Sequence, residues 1–221
     1  MPTQGLGKGG TNAFCFQCVR FSGTMNQPAS RLARAFERFD QINVGDPRTE
    51  VVSGVSEPKE LVYARRMSEQ LDRFEPGASE ALQLAARAQH IARWQIARSE
   101  YPEGRTGYRQ WRTRLMQHHA KLASDLLAEM DYDTTTIDTV AHLLRKQGLK
   151  RNPEVQTLED VVCLVFLEHY FDDFAKDHDH DKLVGILRKV WVKMSERGRA
   201  AALALELSSG ASRLVTEVLQ G

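Results

Sequence analysis

The sequence predicts an all-α fold, a single-domain multi-helix bundle of roughly eight helices. Three observations predict it. From Ser30 onward apolar residues recur at three- and four-residue spacing, prolines and glycines punctuate the chain at helix-length intervals, and no two segments alternate as paired strands would. The 221 residues, 42% hydrophobic and 27% charged, are enough for one domain that buries roughly 70% of its extended surface.

Each element follows from local chemistry. Leu32, Ala35, Phe36 and Phe39 share one face of a first helix, which the turn residues at 43–47 stop. Glu57-Pro58 opens a second helix, since proline is tolerated in a first turn, and Pro76-Gly77 closes it. Ser79 caps an alanine-rich third helix that runs to about Trp94. Residues 101–104 form a loop before a long helix from Tyr108 to Met130. Thr134, Thr135 and Thr136 offer caps for a segment ending at Gln147-Gly148. After Asn152-Pro153, residues 157–174 form the most apolar helix of the chain, buried on most sides. Asp181 caps a helix to Met194, and residues 200–219 make the last one.

Residues 1–28 are different in kind: they are glycine-rich near the start, lack any acidic residue and carry an isolated Cys15-x-x-Cys18. They read either as a targeting leader, acid-poor as transit peptides are, or as translation upstream of a start at Met25. The globular domain is residues 29–221. A single CxxC, without a second pair or a βαβ context, is weak evidence for zinc or redox chemistry, and Cys163, in an apolar run, reads as a small buried hydrophobe. Three cysteines make no disulfide framework, so the expected compartment is cytoplasmic, or organellar if residues 1–28 are a transit peptide.

A formal charge of +1 excludes a protein that coats nucleic acid through global basicity, and no apolar run is long enough to span a bilayer. Charge is nevertheless separated along the chain. Residues 87–121 hold eight Lys or Arg against Glu100 and Glu103, whereas residues 159–181 hold eight acids against Lys176. Either two segments neutralise one another, or an anion pocket lies beside an acidic wall. Arg87, Arg93, Arg98 and Arg112 are the candidates to hold an anion through bidentate hydrogen bonds; Arg105 and Arg109 belong to the same pool.

Three polar residues interrupt apolar helix faces. His119 lies among Trp111, Leu115, Leu122 and Leu126, where it is either a core histidine bonded to a carbonyl or part of a site. Asp160 shares its stripe with Leu164, Leu167 and Phe171, and a buried carboxylate there needs a partner. Glu159 is flanked by Cys163, Phe166 and Tyr170, and serves either the helix N-terminus or a site. His90 falls on a stripe with Gln83, Arg87 and Trp94. The tract Asp177-His178-Asp179-His180-Asp181 reads as an exposed loop rather than a metal site.

His90, His119 and Asp160 occur in an order, and on helices, that resemble the HD-domain metal-dependent phosphohydrolase superfamily. The resemblance implies an HD-domain-like helical bundle with His90, His119, Glu159 and Asp160 as catalytic residues, and with His90, His119 and Asp160 as ligands of any divalent metal. The chain departs from the pattern at Ile91, where the His-Asp doublet needs aspartate, and no histidine occurs on the preceding helix. Residues 46–51, 58–67, 86–94, 158–168 and 193–198 resemble a widespread, uncharacterised helical family defined as a domain of unknown function. Some of its members are labelled glutamyl-tRNA synthetase-like. No ATP-binding signature or Rossmann pattern accompanies that label here.

Three functions are therefore expected in turn. The first is a hydrolase or degenerate hydrolase acting on a small phosphorylated or anionic metabolite. The second is a non-catalytic nucleotide- or anion-binding module. The third is an RNA- or tRNA-binding protein, in which Trp94, Tyr101, Tyr108 and Trp111 would stack on bases between arginines.

Overall fold

The computed structural model describes residues 29–220, so the Cys15/Cys18 pair and the reading of residues 1–28 lie outside the described residues. Among these residues the fold is all-α: ten α-helices and one small antiparallel hairpin. They are α1 (Arg31–Asn43), β1 (Thr49–Val52), β2 (Val55–Pro58), α2 (Lys59–Phe74), α3 (Glu80–Arg87) and α4 (Gly104–Glu129). There follow α5 (Thr134–Leu144), α6 (Pro153–His169), α7 (Phe171–Lys176), α8 (His180–Lys193), α9 (Glu196–Leu203) and α10 (Ser209–Gln220). No helix among the described residues is long and apolar enough to cross a membrane.

Side-chain caps start most helices. Ser30, Ser79, Asp133, Asn152, Asp179 and Ser195 each accept from a backbone N–H of the first turn, satisfying donors that the helix itself cannot. At the centre lies α6, as its apolar sequence predicts: Val155, Leu158, Val161, Leu164 and Val165 are fully buried. It packs on α2, α3, α5, α8 and α9, while α4 runs along α5, and α1 lies across α2, α3 and α4. Cys163 is a free, buried thiol in this core, and burial beside Glu159 pushes its pKa up to about 12.

The structure corrects several boundaries. Residues 49–58 form a hairpin, with Val52 opposite Val55 and positive φ at both turn residues, Ser53 (50°) and Gly54 (83°). That geometry matches the twist of the flanking strands. Glu50 faces Glu57 across the ladder, and α2 answers each of them: Arg66 pairs with Glu50 at 2.6 Å and Arg65 with Glu57 at 2.5 Å.

The third helix stops at Arg87, not near Trp94, and turns through residues 88–92 into a short 3-10 segment, Arg93–Gln95. The long helix begins at Gly104 rather than Tyr108. Its first turn folds against Pro102, whose carbonyl oxygen sits 1.8 Å from where a Cβ on Gly107 would be. The helix expected over 157–174 is two, α6 and α7, broken at Tyr170. Asp179, not Asp181, caps α8, accepting from the Lys182 N–H at 2.9 Å. Finally, residues 200–219 divide into α9 and α10, with Ser208 capping the second by accepting from the Ala211 N–H at 3.1 Å.

Candidate functional site

The loop from α1 to α2 builds one wall of a polar cluster. Asp46, with a fully buried side chain, accepts from the Arg48 N–H, from Arg48 Nε and from Arg48 Nη2, each at 3.0 Å, and from the Glu60 N–H at 3.2 Å. The last bond matters because α2 has no side-chain cap of its own at Pro58. Asp46 supplies the acceptor from a distance. Burial alone would raise the Asp46 pKa, but the bonds from Arg48 outweigh it and hold the carboxyl below its usual range. Arg48 then reaches on to Glu60 at 2.8 Å.

Glu60, in the first turn of α2, is the shared carboxylate of the cluster. Its side chain is 5% exposed and meets Arg48, Arg93 at 3.8 Å and His90 at 3.3 Å. Burial pushes its pKa up, and the guanidinium groups of Arg93 and Arg48 only partly offset that.

His90 comes from the turn that ends α3. Two contacts hold this turn: the Ala92 N–H donates to Asn43 Oδ1 at 3.1 Å, and His119 Nδ1 meets the Ile91 carbonyl at 2.8 Å. Ala92 is left-handed there, with φ at 51°, a conformation that costs a non-glycine residue about 1 kcal/mol. The imidazole of His90 stacks on Tyr63, and Tyr170 lies beyond Tyr63 at 5.8 Å between ring centroids. Arg93 Nη1 faces His90 Nε2 at 3.3 Å. Arginine only donates, so Nε2 is the acceptor and Nδ1 carries the proton toward Glu60. Desolvation, then the charges of Arg93, Arg112 and Lys146, hold the His90 pKa well below its usual value.

His119 is satisfied on one side of its ring only. Its Nδ1 bonds a carbonyl, as a core histidine's would, but its buried Nε2 has no hydrogen-bond partner among the described residues. The ring lies 6.0 Å from that of His90, and desolvation above all holds its pKa well below the usual value.

Further cations act on the cluster. Arg112, half-buried on α4 seven residues before His119, bears on Tyr63, His90, Arg93 and Lys146 through its charge. It makes no ion pair and no side-chain hydrogen bond among the described residues. Lys146, just past α5 with φ at 54°, turns inward to pair with Glu159. Lys193 pairs with the other oxygen of Glu159 at 3.3 Å. Burial alone would raise the Glu159 pKa; the two lysines reverse that and hold it ionised.

The cluster thus brings together His90, His119, Arg93 and Arg112, and reaches Glu159 through Lys146. Other expected site residues are engaged elsewhere. Arg87 pairs with Asp40 at 2.5 Å and bonds Ser68, and Arg98 donates to the Tyr101 carbonyl at 2.8 Å. Asp160 accepts from the Ser195 N–H (2.8 Å), the Ser195 hydroxyl (2.5 Å) and Gln156 (3.0 Å), thereby anchoring the N-terminus of α9. Gly198 makes that approach possible, since a Cβ there would lie 2.6 Å from the carboxyl group. A cleft of about 260 Å³ lined by Glu37, Asp40, Gln41, Val44, Leu61 and Arg65 contains none of the expected site residues.

Arg48, Glu60, Tyr63, Lys146 and Tyr170 were not expected. The first three lie in stretches 46–51 and 58–67, which also carry the family resemblance; Lys146 and Tyr170 had no such signal.

The separated charges do not neutralise each other: among the described residues no ion pair joins 87–121 to 159–181. Nor does the donor set suit a divalent cation. The Arg93 guanidinium occupies the lone pair of His90, the Asp160 oxygens are committed to Ser195, and no three His, Cys, Asp or Glu side chains gather as ligands among the described residues. The alternating His and Asp tract is likewise engaged: His178 stacks on Phe174 and His180 bonds Glu217 at 2.9 Å.

No curated protein and no solved structure matches this chain. The family described as Domain of unknown function (DUF4202) matches residues 33–215, and the protein belongs to that family.

Proposed function

We propose that this protein binds a small phosphorylated or otherwise anionic metabolite against Arg93, Arg112 and Lys146, as a non-catalytic module on the helical scaffold. The observation that carries this reading is Arg112: half-buried on α4, it makes no ion pair among the described residues, and Arg93, which lies 4.7 Å over the ring of the adjacent Trp111, has only a carboxylate shared with Arg48. Glu60 is already shared by Arg48 and Arg93, and Glu159 by Lys146 and Lys193, so the positive excess is local. Such a field, partly shielded from water, attracts and orients a phosphate or carboxylate. Side-chain exposures of 47% at Arg48, 18% at Arg93 and 16% at His90 leave the ligand a route from solvent.

Metal-dependent hydrolysis gains no support from donors already engaged by Arg93 and Ser195. RNA binding gains little: Trp111 has donated its indole N–H to the Ile96 carbonyl at 2.9 Å and carries Arg93 over its ring, so it is not free to stack on a base.

Calorimetric titration of the purified protein with inorganic phosphate and with phosphorylated metabolites, at fixed ionic strength, tests the proposal. Saturable binding is expected, lost in Arg112→Gln. Equal heats from chloride, or an unchanged affinity in Arg112→Gln, would refute it.

A further inference from the structure

Resting on the anion-binding reading, we infer that the ligand carries a hydroxyl or N–H donor beside its anionic group, and that His119 is the residue that selects for it. A carbonyl oxygen only accepts, so the contact between His119 Nδ1 and the Ile91 carbonyl places the proton on Nδ1. In the neutral ring Nε2 is then a bare lone pair. It is buried, on a residue 3% exposed, and has no partner among the described residues. Leaving a buried acceptor unmet is costly, and native structures rarely tolerate it without a reason.

A deprotonated phosphate oxygen cannot fill this position, because acceptor against acceptor repels. A hydroxyl can. The His119 ring stands 6.0 Å from His90, whose own Nε2 is occupied by Arg93, so the free lone pair belongs to the same cluster as the arginines. A ligand whose anion meets Arg112 and Arg93, and whose hydroxyl donates to His119, satisfies both at once. That describes a hydroxylated phosphoester, such as a polyol or sugar phosphate, rather than an alkyl phosphate.

The test compares glycerol 3-phosphate with methyl phosphate by calorimetry on the full chain and on His119→Asn at about pH 8, where both esters have lost the proton of second pKa about 6. Asparagine keeps an N–H where Nδ1–H lay, so the Ile91 bond survives, but offers no acceptor at the Nε2 position. The wild type is expected to prefer glycerol 3-phosphate by about tenfold, the scale of one hydrogen bond, and His119→Asn to bind both esters alike. If that variant fails to fold, the ¹⁵N shift of Nε2 in the wild type serves instead: it moves with glycerol 3-phosphate and not with methyl phosphate. Binding of both esters without preference, or a preference that survives in His119→Asn, would overturn the selection while sparing the anion site. Failure of phosphate and of both esters to bind would overturn the two together.

Discussion

The imidazole of His90 lies flat on the phenol of Tyr63, with ring centroids 3.9 Å apart and planes 12° from parallel. The stack fixes which edge of the histidine meets which neighbour: Nδ1 faces Glu60 and Nε2 faces Arg93. A single carboxylate, on the first turn of α2, therefore answers a histidine and two arginines. How the cluster responds to substitution follows from that economy.

Glu60→Ala removes the shared partner. It leaves Arg93 in a poorly solvated position and strips Arg48 of one of its two carboxylates. The expected loss is about 2–4 kcal/mol, less than a fully buried pair costs because Arg48 keeps contact with solvent. Urea unfolding at pH 7 measures it, and a loss under about 0.5 kcal/mol would show that Glu60 does not organise the cluster.

Arg112→Gln should behave oppositely. The residue makes no compensating contact among the described residues, and its charge works against Arg93 and Lys146. Stability of the ligand-free protein is expected to stay within about 0.5 kcal/mol of wild type or to rise. A loss above about 1 kcal/mol would mark Arg112 as a structural residue instead.

Stability should decline on mild acidification. His90 and His119 are held neutral, with pKa values well below the 6.5 of the unfolded chain. The unfolded state then binds protons first as pH falls below 6.5, and each histidine removes about 1.4 kcal/mol per pH unit until its folded pKa is reached. Glu60, with a raised pKa, works the other way near its own titration, as does exposed His180 paired with Glu217. Asp46 and Glu159, whose values are lowered, add losses only below their unfolded values of 3.8 and 4.5. Melting curves between pH 7.5 and pH 5 check this; a flat profile, or an unchanged slope in His119→Asn, contradicts it.

Gly198→Ala tests the role of Asp160. The new methyl group would stand 2.6 Å from the carboxyl carbon and displace it from Ser195. A loss of about 2–4 kcal/mol in unfolding free energy is expected, with phosphate affinity unchanged in the folded protein. An Asp160 that served the ligand directly would reveal itself as weaker binding at preserved stability.

The helical architecture was legible because α2, α4 and α6 combine length with apolar spacing, and because Ser30, Ser79 and Asn152 stand where caps are needed. What escaped the sequence depends on distant partners. Residues 88–92 contain neither glycine nor proline, yet α3 ends there because Asn43 and His119 hold the turn. The hairpin was missed because its four-residue strands scarcely alternate and Val51 and Val55 point to solvent. Within the cluster, His90, His119, Arg93 and Arg112 were visible as polar interruptions and basic residues. Glu60 and Lys146 carry no signal of their own in the sequence, since only tertiary folding turns Glu60 toward Arg48 and Arg93 and Lys146 toward Glu159.

The two glutamates facing each other across the hairpin make its attachment to α2 sensitive to dissolved ions. Arg65 and Glu57 are open to water, while Arg66 and Glu50 are both under 20% exposed. Added salt screens the outer pair first, with a Debye length of about 3 Å at 1 M. The same salt damps the repulsion between the two carboxylates, so what is lost is the tether of β2 to α2 through Arg65, and the tip around Ser53-Gly54 gains freedom before its base does. Hydrogen exchange should record that order, with the Val52 and Val55 amides quickening in high salt while the Lys59 amide, bonded to the Arg48 carbonyl at 2.9 Å, stays protected.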